Sequence, residues 1–176
     1  MQGMFNQFNE LSRQIHENAV AHGWWEEERE RVQLCALFHS ELSESYEEYR
    51  NGNDYEYELD GKPEGIAVEL ADYIIRVLDY AWHMGFDIDA EFKMPEAWDT
   101  AFASDDFSRF ISDCHKDVTN LYGISKSEKR EGKFAARCIT RPMIWMILRG
   151  IDPIEVIKRK HAYNKTRPYR HGGKVC

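Results

Sequence analysis

Ile66-Ala67-Val68-Glu69-Leu70-Ala71-Asp72-Tyr73-Ile74-Ile75-Arg76-Val77-Leu78-Asp79-Tyr80-Ala81-Trp82 decides the fold class of this 176-residue chain. Taken as a helix at about 100° per residue, it puts Ile66, Leu70, Tyr73, Ile74, Val77, Tyr80 and Ala81 on one side. Ala67, Ala71, Ile75, Leu78 and Trp82 widen that apolar arc to well over half the circumference. One narrow stripe is polar: Glu69, Asp72, Arg76 and Asp79. A helix so apolar is expected to be largely buried, so its stripe faces either a site or solvent. The solvent reading has internal support, because Arg76 lies i+4 from Asp72 and the two can pair.

The segment before it reads in the same way. Leu34, Cys35, Phe38, Leu42, Tyr46 and Tyr49 form an apolar face, edged by Glu41, Glu44 and Glu48. Glu41-Leu42-Ser43-Glu44 and Glu69-Leu70-Ala71-Asp72 share i,i+3 spacing, which sets each pair of carboxylates on one helix face. Two such helices side by side point four carboxylates at one place. Like charges that close repel and tend to hold protons. A hard divalent cation removes the conflict, and clustered oxygen ligands suit Mg²⁺ or Mn²⁺.

Strand signals are weak elsewhere, and apolar-periodic segments alternate with polar turns. Helices are predicted over roughly 5–21, 28–50, 64–84, 105–122, 134–149 and 153–165. Gly23, Asn51-Gly52-Asn53 and Gly85 read as helix stops, and Pro63 as the first turn of the third helix. Ser104-Asp105 and Asp152-Pro153 read as N-caps. Residues 51–63 are expected to be a polar, acidic loop, and 85–104 an irregular segment containing Pro95. The fold class is therefore all-α: a single domain over 1–176, a bundle of about five to six helices.

Charge is unevenly placed. The net charge is −8, yet from Lys158 to Cys176 there are seven Lys or Arg and no acid. The other 157 residues carry 16 basic against 31 acidic side chains, or −15. An acidic body with a basic tail is poorly suited to nucleic acid. In that tail Lys160, Asn164 and Arg167 fall at i, i+4 and i+7, ahead of Pro168. Lys offers a point charge to phosphate, Arg a bidentate grip and Asn an amide N–H. His171-Gly172-Gly173-Lys174 follows, with backbone free enough to approach a ligand. A solvated basic end is the plain alternative.

Several classes are disfavoured. No histidine has Glu or Asp three positions before it, which argues against a di-iron bundle. Neither a P-loop nor a G-x-G-x-x-G fingerprint occurs. Cys35, Cys114, Cys138 and Cys176 are scattered, so neither a disulfide framework nor a zinc site is expected. Met1-Gln2-Gly3-Met4-Phe5-Asn6-Gln7 lacks the pattern of a signal peptide, and no apolar stretch approaches the ~18 residues of a membrane span. A cytoplasmic protein with no membrane partner is expected.

With these parts assembled, the chain resembles the MazG-like superfamily of all-α nucleoside triphosphate pyrophosphohydrolases. That group includes MazG, the dimeric dUTPases, the dCTP pyrophosphatases and phosphoribosyl-ATP pyrophosphohydrolase. Its E-x-x-E, spacer, E-x-x-D signature is matched by Glu41-x-x-Glu44 and Glu69-x-x-Asp72, and its C-terminal phosphate motif by Lys160-x-x-x-Asn164-x-x-Arg167. The resemblance covers roughly 5–84 and 150–174; the stretch 86–149 is longer than a minimal domain of this kind. It implies Mg²⁺-dependent cleavage of a nucleoside triphosphate between the α and β phosphates. Glu41, Glu44, Glu69 and Asp72 would be the metal ligands, and Glu44 would also accept the proton of the attacking water. Lys160, Asn164 and Arg167 would hold phosphates, Trp24 or Trp25 would contact the base, and Glu48 and Arg76 would support the ligands. It also implies a homodimer or homotetramer that completes the bundle, for which the wide arc of 64–84 offers an apolar surface. The alternative is a non-catalytic nucleotide-binding or structural helical oligomer of the same fold.

Overall fold

The computed structural model describes residues 7–92, 104–124 and 128–173, with the side chains of 128 and 129 left aside. In chain order its main elements are α1 (Phe8–Ala21), α2 (Arg31–Arg50), β1 (Tyr57–Leu59), β2 (Lys62–Glu64), α3 (Ile66–His83), α4 (Ile88–Glu91), α5 (Phe107–Gly123), α6 (Glu128–Leu148) and α7 (Pro153–Lys165). The protein is mostly helical, as expected of an all-α bundle. Among the described residues no helix is long and apolar enough to cross a membrane.

α3 is the central post. Ile66, Ala67, Val68, Leu70, Ala71, Tyr73, Ile74, Val77, Leu78, Tyr80 and Ala81 are all buried. α1, α2, α6 and α7 pack around it, and α5 lies against α2 and α6. The arc of α3 is thus covered from within the chain, with Trp82 alone among its large apolar side chains left exposed. That arc is not a free surface for a second copy. α6, one of the helices that cover it, is drawn from the stretch that the motifs left unplaced, as is α5, which packs outside it on α2 and α6. α5 and α6 are joined by a buried ion pair: Asp117 accepts from Arg141 Nε at 2.6 Å and from Arg137 Nε at 2.8 Å.

Several local expectations are corrected. Residues 51–63 are not a plain loop, because Tyr57–Leu59 and Lys62–Glu64 form an antiparallel hairpin with Glu58 opposite Pro63. Its turn is Asp60-Gly61, both at positive φ (52° and 78°), the two-residue pattern that matches strand twist. Pro63 therefore sits in β2, where a two-stranded sheet tolerates a missing N–H, and α3 opens only after Gly65. At α5 the cap is Asp106, whose carboxylate accepts from Ser108 N at 2.9 Å, one residue later than Ser104-Asp105 predicted. α6 starts at Glu128 rather than 134, through Gly132, and carries Pro142 internally. Within 85–104, residues 88–91 form the one-turn α4, capped by Asp87; Pro95 lies outside the described residues. The remaining stops and the Asp152-Pro153 start stand where the sequence puts them.

Gly65 joins the hairpin to α3 at φ 117°, and an added Cβ would lie 2.7 Å from the Tyr55 carbonyl oxygen and 2.8 Å from that of Asp54. Both obstacles are backbone. Gly65→Ala is expected to lower unfolding stability by about 2–3 kcal/mol in denaturant titration. Gly52→Ala, at φ 72° with open space around it, is expected to cost no more than about 1–2 kcal/mol. Equal effects at the two positions would show that close approach at Gly65 is not the constraint.

Candidate metal centre

α2 supplies Glu41 and α3 supplies Glu69 and Asp72 to one point, where a ligand atom from each lies within 4.8 Å of the others. Glu41 and Glu69 are buried, and Asp72 is half-buried. Two cations share the space. Arg76, one turn along α3 from Asp72, donates from Nε to Glu41 Oε1 at 3.2 Å. Lys160 reaches in from α7, with Nζ 3.1 Å from Asp72 Oδ2 and 3.4 Å from Glu69 Oε1. The same ammonium donates to the carbonyl of Pro63 at 3.4 Å. Asn164, one turn on from Lys160, donates from Nδ2 to Asp72 Oδ1 at 2.9 Å.

The electrostatics follow from burial. Burial, with the charges of Asp72 and Glu44 and against that of Arg76, pushes the Glu41 carboxyl up to about 7. Burial pushes Glu69 up to about 8, opposed by Lys160 and reinforced by Asp72, Glu41 and Glu44. Burial works against the charge on Lys160, but Asp72 and Glu69 hold its pKa above the ordinary lysine value. Three acids thus face two cations, and protons make up the difference.

The sequence-predicted residues divide. Glu41, Glu69, Asp72, Lys160 and Asn164 come together, and Arg76 binds a carboxylate directly. Glu44 stays outside the three-carboxylate group: its side chain is exposed and accepts from the Ser40 hydroxyl at 3.2 Å. Glu48 faces the hairpin instead, accepting from Tyr57 Oη at 3.0 Å and Asn53 Nδ2 at 3.1 Å. Arg167 lies past the end of α7, its carbonyl accepting from His22 Nε2 at 3.0 Å. Trp24 is buried beside Arg76, whose guanidinium sits 5.8 Å from its ring centroid. Trp25 turns away, donating from Nε1 to Asp79 at 2.9 Å with one face stacked on His83 at 3.9 Å.

The tail is a strap rather than a loose end. Arg170, His171, Gly172 and Gly173 all have positive φ, a left-handed turn that the two glycines permit. Arg170 N and Nε donate to the carbonyls of His22 and Gly23, and Tyr169 donates to Glu26. A Cβ at Gly23, itself at φ 79°, would fall 2.2 Å from the Tyr169 ring and push that ring off its seat. The strap places His171 edge-on to Trp24 at 5.2 Å. Lys174 lies outside the described residues.

Between strap and metal centre, Trp24, Arg76, Asp79, His161, Asn164 and His171 line a cleft of ≈ 40 Å³. Asn164 Oδ1, both His161 nitrogens and His171 Nδ1 are buried there without a protein partner. A volume of that size holds about one to three waters, which is what such atoms require. Of these residues the sequence reading passed over His161, and gave the side chains of His171 and Asp79 no site role. Asp79 alone carried a signal, as the next member of the α3 stripe.

Compared with protein-family models, curated proteins and solved structures, the chain matches none. The assignment of the centre therefore stands on its own chemistry.

A carboxyl whose folded pKa is raised stabilises the fold below its unfolded pKa and loses that contribution as pH rises through the folded value. For Glu41 and Glu69 the window runs from 4.5 to about 7 and about 8. Without divalent ions the protein is expected to melt at a higher temperature at pH 6 than at pH 9. Glu69→Gln, neutral throughout, should flatten that difference. A pH slope unchanged in Glu69→Gln would mean that the proton load lies elsewhere.

Proposed function

We propose that this chain is a Mg²⁺-dependent nucleoside triphosphate pyrophosphohydrolase, cleaving between the α and β phosphates to release nucleoside monophosphate and pyrophosphate. The observation that carries the reading is the convergence of Glu41, Glu69 and Asp72 with Lys160 and Asn164, so that carboxylates and phosphate-type donors share one point. The donor set fits Mg²⁺ or Mn²⁺: it is all hard oxygen, short of positive charge, and backed by hydrogen bonds to the ligands themselves. Bound there, the ion supplies charge neutralisation for phosphate and a more acidic attacking water.

The chain's own groups do the rest. Glu41, Glu69 and Asp72 fix the position of the ion. Glu44, exposed at the edge on the same helix as Glu41, is free to turn inward and take the water's proton onto its carboxylate. Lys160, released from part of its charge balancing once the centre is loaded, offers its ammonium to the distal phosphates together with Arg167. A base resting on Trp24 needs the His171 strap to swing aside, because the cleft as it stands is too small for one. Assembly into two or four copies, which the family resemblance implies, would use surfaces other than the covered arc of α3.

A second reading has one observation in its favour. Lys160 and Arg76 already pair with all three carboxylates, so the cluster also works as a structural ion-pair centre in a non-catalytic helical protein. The two readings separate on a panel of NTPs and dNTPs with Mg²⁺, measuring pyrophosphate and phosphate release independently. Pyrophosphate release is expected, and Glu41→Gln and Asp72→Asn should each abolish it while the far-UV spectrum is retained. Folded variants with near-normal turnover would sink the metal assignment, and no turnover on any triphosphate would favour the structural reading.

Arg167→Ala tests the tail separately. A charge-assisted hydrogen bond contributes about 1.5–3 kcal/mol, so the triphosphate KM should rise roughly tenfold or more while monophosphate binding holds. Unchanged triphosphate kinetics in both Arg167→Ala and Lys160→Ala would move the phosphate contacts elsewhere.

A further inference from the structure

His39 on α2 and His115 on α5 meet across the helix interface with their Nδ1 atoms 2.8 Å apart. The rings are nearly parallel, tilted by 18°, with centroids 5.1 Å apart. Two protonated nitrogens cannot face each other at that distance, so at least one Nδ1 presents a lone pair. Both side chains are half-buried, open to solvent on one side. The neighbouring hydroxyls are occupied: Ser40 donates to Glu44, Ser43 to the His39 carbonyl, Ser112 to the Ser108 carbonyl and Thr119 to that of His115. Nothing in the proposed hydrolysis uses this pair. Two helical turns and an interface hold two imidazoles in contact where an ordinary core would hold apolar side chains.

We propose that His39 and His115 form a second metal site, distinct from the carboxylate centre, that takes a borderline divalent transition ion of the Cu²⁺ or Ni²⁺ type. Neutral imidazole suits such ions, whereas the all-oxygen centre suits Mg²⁺. The spacing selects among them. Metal–nitrogen bonds of about 2.0–2.1 Å at a right angle need the two nitrogens ~2.9 Å apart, while a tetrahedral angle needs ~3.3 Å. The observed 2.8 Å is the length of an N–H···N hydrogen bond, and opening the pair to a right-angle bite of tetragonal Cu²⁺ or Ni²⁺ needs less movement than opening it to tetrahedral Zn²⁺. Loading needs no net change in protonation: the donating ring moves its proton from Nδ1 to Nε2, and a small rotation of each ring turns both Nδ1 lone pairs onto the ion. Water fills the remaining positions on the open side.

The site bridges α2, which carries Glu41, to α5, so occupancy clips the middle of the chain to the helix of the carboxylate centre. The proposal does not depend on hydrolysis, and its test uses the whole chain with the carboxylate centre disabled by Asp72→Asn. Cu²⁺ and Ni²⁺ are titrated by calorimetry, and the Cu²⁺ form is read by electron paramagnetic resonance. One equivalent is expected, with splitting from two equatorial nitrogens and tighter binding of Ni²⁺ than of Zn²⁺. His39→Ala and His115→Ala should each weaken binding about a hundredfold or more, because a chelate becomes a single contact. His83→Ala, at the other histidine cluster near His16, should leave it unchanged. Copper signals without nitrogen splitting, tighter Zn²⁺ than Ni²⁺ binding, loss of binding in His83→Ala, or folded His39 and His115 variants that bind as before would each overturn the site. Should either histidine variant fail to fold, the nitrogen splitting and the ion order in the Asp72→Asn chain decide alone.

Discussion

A single buried ammonium ties the structure together. Lys160 is among the largest fully buried side chains of the protein, and its Nζ contacts Asp72 and Glu69 of α3 and the carbonyl of Pro63 in the hairpin. α7 therefore meets both α3 and the hairpin that precedes it at one charge. Burying an ammonium is costly unless its partners are charged and well placed. Here the partners are one buried and one half-buried carboxylate, so each side offsets the other's burial. That mutual dependence fixes α7 against α3 and, through Pro63, fixes the hairpin that leads into α3. Asn164 extends the arrangement by one turn, and the strap beyond it returns the chain to the loop between α1 and α2.

The helices were legible because their apolar periodicity is strong and their stops are chemical: Gly23, Gly52 and Gly85 take positive φ, and Asp152 caps α7 ahead of Pro153. The hairpin was missed because it has only three residues per strand and hides in an acidic stretch, although Asp60-Gly61 carried its turn signal. The start of α6 was missed for the opposite reason. Glu128–Gly132 is polar and contains a glycine, so nothing periodic marked it; contact with the rest of the bundle decides it. The arc of α3 was legible as buried, but which chain buries it was not. Periodicity says that a face is covered and is silent on what covers it.

At the site, i,i+3 spacing placed Glu69 and Asp72 together, and the parallel pattern on α2 brought Glu41 to them. The same rule did not place Glu44: it lies about 60° short of a full turn from Glu41, as Asp72 does from Glu69, but on α2 that offset leads to the exposed edge. On a helix edge that rotation is enough to carry one carboxylate inward and the next into solvent. Asn164 and Lys160 were legible as one face of a helix. Arg167 shared their register on paper, but α7 ends at Lys165, and beyond a helix end the register has no meaning. Trp25 was drawn off by Asp79, a partner that no local pattern near residue 25 announces.

The raised carboxyls and the proposed ion answer the same deficit. Glu41, Glu69 and Asp72 bring three potential negative charges, while Arg76 and Lys160 bring two positive ones. Burial first, and the neighbouring carboxylates after it, raise Glu41 and Glu69 from 4.5 to about 7 and about 8, so the deficit is met by holding a proton. A divalent cation meets it differently, by displacing the proton and adding charge beyond what the carboxylates need. The surplus is then available to an anionic ligand, and so is the ammonium of Lys160. On this account protons and divalent ions compete for one set of oxygens, and the affinity for the ion must rise with pH through the range in which those carboxyls titrate. A purely structural ion-pair cluster has no use for that surplus. On the proposed function, the arrangement is a resting state whose charge balance would be completed when cation and polyphosphate arrive together.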